Sequence, residues 1–153
     1  MSGSQGFILG IVMVIAGIGI PVMAALNGGL GTRLGNPVQA ATLLFALALV
    51  VSILVLIFQP KPIAIDLQVI PPQFFLGGFF VAFYVLSVTF IAPRIGVGNA
   101  IVLVLLGQCL ASAMIDHFGW FGVQQTALTL SRASGFLIII GGIVLTRRTA
   151  DIG

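Results

Sequence analysis

The chain has 153 residues, of which 59% are hydrophobic and only 6% charged, and its mean hydropathy is +1.27. A soluble domain covers itself with roughly 25% charged residues, so this composition excludes a water-facing surface and calls for lipid instead. The net charge of +3 rests on six basic residues scattered singly or in one pair, and without a basic stripe or interleaved aromatics it argues against nucleic acid as a partner.

The apolar runs are continuous rather than alternating, which favours membrane helices over a barrel. Each span needs about 20 apolar residues. The first predicted helix covers residues 6–26, with no charge before Arg33. It lacks a basic leader and outruns the usual apolar core of a signal peptide, so it reads as a retained span. Within it Pro21 removes a backbone bond and crowds the carbonyl of Gly17, so a kink there either lines a cavity or is passive. Gly6, Gly10 and Gly17 allow close helix approach.

The second predicted helix covers residues 37–58, opening on Pro37 and ended by Gln59-Pro60-Lys61-Pro62. The third covers residues 73–91, with Tyr84 near its middle either packing or touching solute. In the fourth, residues 96–115, Gln108 lies at mid-membrane, followed by Ser112 and Asp116 at four-residue spacing on one face. A mid-membrane Gln either bonds another helix or faces a wet cavity. Thr42 and Ser52 can satisfy themselves on their own backbone. The expected connections are about ten residues after the first helix, about fourteen after the second and about four after the third.

The fifth predicted helix covers residues 128–146. Only 14 residues separate Arg132 from Arg147, about 21 Å of helix, which places Arg132 inside the span. It must snorkel or find a partner. Asp116 ends the preceding helix on the same side, so the two can pair, either as a structural bridge or as a gating or coupling element. The stretch between them holds Phe118, Trp120 and Phe121, suited to the membrane interface.

Five spans put the termini on opposite sides. The side of the N-terminus then carries two Lys/Arg (Lys61, Arg132) and the other four (Arg33, Arg94, Arg147, Arg148). This weakly favours an inside C-terminus, and a bias so small suits a chain that inserts both ways. Residues 1–153 read as one transmembrane domain, so any activity lies inside the bundle. One histidine and three acids are too few for a metal site or a hydrolase, and the reading is of a non-enzyme without cofactors. Cys109 stands alone and forms no internal disulfide. No carboxylate lies at the bilayer centre, so solute and proton cannot compete for one there.

Pro21-Val22-Met23-Ala24-Ala25-Leu26-Asn27, then Leu30-Gly31 and Leu34-Gly35-Asn36-Pro37, resemble the start of the YdcZ-type, five-helix, half-size branch of the drug/metabolite transporter superfamily. Gly77-Gly78, Phe83-Tyr84-Val85, Pro93-Arg94-Ile95-Gly96, Gly107-Gln108, Ile115-Asp116-His117-Phe118-Gly119 and Ser131-Arg132 with Gly135 follow in order. Met23 departs from the pattern, which often has a Gln, so a polar contact is missing there. The resemblance implies an all-α, multi-pass exporter of a small metabolite or drug-like solute in a bacterial inner membrane. It further implies a homodimer, or a heterodimer with a related five-helix chain, inserted in opposite orientations. Two such copies recreate the inverted repeat of a transporter, with the site at the midplane. Asn27, Tyr84, Gln108 and Ser112 are then the candidates for the solute path. A small dual-topology ion channel and a non-transporting accessory protein are the alternative readings.

Overall fold

A computed structural model describes residues 3–60 and 70–148. Lys61, used above in the account of charge, lies outside these residues. The described residues form five α-helices: α1 (Gly3–Leu34), α2 (Pro37–Ile57), α3 (Leu76–Ile95), α4 (Val97–Phe118) and α5 (Leu130–Arg148). Four segments are long and apolar enough to cross a membrane, Ser4–Leu34, Pro37–Ile57, Pro72–Ile95 and Val97–Phe118, and Leu130–Leu145 is a shorter apolar helix. The chain is an all-α, multi-pass membrane protein. It divides into two compact units, one up to Val97 and the other from Gly98.

In the first unit α1 packs against both α2 and α3, and α2 against α3. The first helix does not stop at the expected Leu26 but runs on to Leu34. The glycines that look like breakers serve close approach instead. A Cβ on Gly28 would stand 3.2 Å from Cγ of Pro93, and one on Gly31 would stand 3.2 Å from the Pro37 backbone and 3.4 Å from the Thr89 methyl. Such surfaces hold helices together where lipid supplies no hydrophobic drive between them.

The helix ends at Gly35, whose φ of 65° closes the last turn, with Asn36 N–H donating to the Gly31 carbonyl at 3.1 Å. Asn36 then caps α2, its side-chain oxygen accepting from Val38 N–H at 2.9 Å and Gln39 N–H at 3.2 Å. The connection is therefore Gly35-Asn36 rather than the expected ten residues. The helix continues without interruption through Pro21.

α3 is led in by a 3-10 turn, Pro72–Phe75, and runs past the expected stop at Ile91 to Ile95. Pro93 is tolerated because it falls in the last turn, where only the Thr89 carbonyl loses its usual donor. The turn closes at Gly96, with a φ of 87° and its N–H on the Ala92 carbonyl at 2.9 Å. The buried residues concentrate on short stretches: Ala24 and Asn27 of α1, Ala40 and Ala41 of α2, and Val85, Val88, Thr89 and Ala92 of α3. Away from these stretches many large apolar side chains are exposed, among them Phe7, Ile15, Leu49, Ile57, Phe79 and Phe80.

In the second unit α4 extends three residues past the expected Ile115, to Phe118. α5 starts at Leu130 rather than at residue 128. Gly119 (φ 63°) ends α4, and a 3-10 turn at Trp120–Gly122 follows.

Candidate functional site

Two polar constellations stand out, one in each unit. In the first, Asn27 of α1 is buried and its amide nitrogen donates to Thr89 Oγ1 of α3 at 2.5 Å. The Thr89 hydroxyl in turn donates to the Val85 carbonyl at 2.7 Å. The chain of donors ends on backbone, so both side chains are fixed. In lipid an unmet polar group has no water to turn to, which makes this pairing the natural lock between the two helices.

Asn27 also stands in the wall of a groove of about 670 Å³ between α1 and α2. Met23, Leu26 and Leu30 line it from α1, and Leu43, Leu44, Leu47, Ala48, Val51 and Ser52 from α2. The Ser52 hydroxyl donates to the Leu49 carbonyl at 2.8 Å. Met23, which stands where a Gln was expected, adds a thioether to this wall. Thr42, outside the groove, bonds the Val38 carbonyl of its own helix at 2.9 Å.

Tyr84 lies half-buried in α3, and its hydroxyl is buried without a hydrogen-bond partner. A buried hydroxyl left unmet costs free energy. Gly17 and Pro21 both lie within α1. Nothing stands within 4 Å of where a Gly17 Cβ would be, and Pro21 is half-buried.

In the second unit Asp116 and Arg132 meet, the carboxylate accepting from Nη2 at 2.8 Å. Arg132 also donates from Nη1 to the Thr126 carbonyl at 3.3 Å, and Thr126 N–H donates to the Asp116 carbonyl at 2.8 Å. Beside them the His117 carbonyl accepts from Gln125 Nε2 at 2.9 Å, and His117 Nδ1 accepts from Leu128 N–H at 3.2 Å. Four of these five bonds therefore tie residues 125–128 to the end of α4 or to Arg132. Thr129 caps α5, its hydroxyl accepting from Arg132 N–H at 3.3 Å.

The fold-back requires Gly119, since a Cβ there would already stand 3.3 Å from Gln125 Cβ and its φ is positive. Phe118 and Trp120 stack at 5.2 Å and His117 meets Phe118 edge-on at 4.9 Å. The ion-pair side chains are 34% and 30% exposed, so the pair is only partly buried. Gln108 and Ser112 are exposed on α4, and the Ser112 hydroxyl donates to the Cys109 carbonyl at 3.0 Å.

Three residues of this description escaped the sequence reading. Thr89 is an isolated hydroxyl in an apolar helix, indistinguishable there from a Thr that bonds only its own backbone. Gln125 and Thr126 sit in a connection whose path nothing in the sequence dictates. Residues 8–145 match the model of the family described as "Putative inner membrane exporter, YdcZ". Neither a curated protein nor a solved structure matches the chain.

Proposed function

The chain belongs to the YdcZ family, and on that premise we propose that it exports a small solute across the inner membrane, working by alternating access as a dimer. The observation that carries this reading is the groove between α1 and α2. Its 670 Å³ lies within the roughly 300–1,000 Å³ of small-molecule sites. It is bordered by the Asn27–Thr89 lock, which ties the groove wall to α3. A change in how α1 and α3 meet therefore changes the groove as well.

The unmet Tyr84 hydroxyl and the many exposed apolar side chains support a second copy or a solute completing the bundle. Two copies in opposite orientation supply the inverted repeat that alternating access uses. The Asp116–Arg132 bridge and the segment bonded to it are then the gating element at the membrane surface. An ion channel is less well supported, since the groove presents aliphatic side chains rather than rings of oxygen ligands or charges.

The test is reconstitution of the purified chain alone into liposomes, after a thermal-shift screen has supplied a ligand. Carrier function gives saturable flux that is accelerated by solute on the far side and lost in Ala48→Phe, which fills the groove. Unitary currents in a planar bilayer would instead mean a channel. Flux that appears only when another protein is added would mean an accessory role.

A further inference from the structure

We infer that the solute held in the α1–α2 groove is uncharged, largely aliphatic, and carries a hydrogen-bond donor. The inference rests on the groove being the solute site. Eight of its ten lining residues are Met, Leu, Ala or Val, none is charged and none is aromatic. A cation would find neither a carboxylate nor an aromatic face, and an anion would find no basic group. Either would give up water beside side chains that return nothing for it.

The two polar members of the wall narrow the choice further. The Ser52 proton is committed to the Leu49 carbonyl, so its oxygen is left to accept. The Asn27 amide gives one N–H to Thr89, which fixes the carboxamide; its oxygen is an acceptor as well, and one N–H remains. A ligand that offers an O–H or N–H meets these two oxygens, and one that offers only acceptors leaves both unmet. Lipid acyl chains fit the aliphatic lining but carry no donor at that depth, so they are a weaker match than a neutral alcohol or amide. Met23 adds adaptable, unbranched bulk, which suits a family of related solutes rather than one rigid shape.

The experiment is photolabelling of the full chain in liposomes with three diazirine probes that share one alkyl chain. One ends in a hydroxyl, one in a carboxylate and one in a trimethylammonium group. Adducts are mapped by peptide mass spectrometry. The expected result is alkanol labelling concentrated in residues 23–30 and 43–52, suppressed by excess unlabelled dodecanamide and by Ala48→Phe. The two charged probes label these residues at least about tenfold less, a difference of roughly 1.4 kcal/mol in binding. Labelling of the outward residues 7–18 stays the same in every case.

Leu47→Trp serves as a second groove-filling variant, and suppression by dodecanamide in the unaltered protein depends on neither substitution. Groove labelling by a charged probe as strong as that by the alkanol would overturn the solute class and leave the groove as a site. Alkanol labelling spread evenly over α1 and α2, and indifferent to dodecanamide, would overturn the groove itself.

Discussion

Asn27 and Thr89 form a buried polar contact between α1 and α3, and their substitution should reveal it. Thr89→Val keeps the shape but removes the acceptor, stranding a buried amide. Interhelical bonds in membranes are worth about 0.6–2 kcal/mol, so the melting temperature should fall. Adding Asn27→Leu should then cost less than the sum of the two single changes, because the stranded group is gone. Simple additivity would show that the two residues do not depend on each other. For Asp116 and Arg132 the geometry sets a smaller scale, since about a third of each side chain is exposed. A double-mutant cycle with Asp116→Asn and Arg132→Gln should give a coupling of about 1 kcal/mol, and a coupling of zero would reduce the bridge to two helix-end charges. This pairing was legible from spacing, because two opposite charges ended adjacent spans on one side. The Asn27–Thr89 bond was not, because nothing in a run of apolar residues says which faces of distant helices meet.

At the scale of the element, the helix cores were legible from composition and several of the helix ends were not. Asn27-Gly28-Gly29 has the composition of a turn, yet it is helical, and Gly28 leaves the room that Pro93 occupies. Pro93 has the look of a terminator, yet α3 carries it inside the last turn. Where a proline or glycine sits relative to a neighbouring helix decides its effect, and that neighbour is invisible in the local sequence. The same logic separates the glycines by consequence. Gly31→Ala forces a methyl to within 3.2 Å of the Pro37 backbone and should destabilise the protein by about 1–3 kcal/mol. Gly10 meets nothing within 4 Å, so Gly10→Ala should leave stability the same or raise it by up to about 1 kcal/mol. Thermal unfolding in detergent distinguishes the two, and equal losses would contradict the packing described. In the second unit, His117→Phe removes the acceptor for Leu128 N–H and should speed hydrogen exchange at that amide severalfold, for a bond worth about 1 kcal/mol. Unchanged exchange would mean that the fold-back holds without it.

At the scale of the whole molecule, four long apolar helices and a shorter fifth fix the chain in the membrane, and composition alone announced as much. Arrangement between copies is a different matter, since it depends on surfaces that no local pattern labels. The near balance of Lys and Arg, two against four, makes insertion in both orientations the expectation. Two or three added Lys at one terminus should lock one orientation and reduce transport, and coexpression with an oppositely locked copy should restore it. Full activity from each locked form expressed alone would rule out the antiparallel dimer.

Alternating access through the α1–α2 groove is tested most directly on such a locked pair. One copy carries Ala48→Cys, and Cys109 is replaced by Ser in both. A membrane-impermeant maleimide is then applied to each face of oriented vesicles in turn. Access to the groove from both faces, diminished by bound solute, is the expected result. Labelling from one face only, or from neither, would show that the groove does not open alternately and would contradict the mechanism.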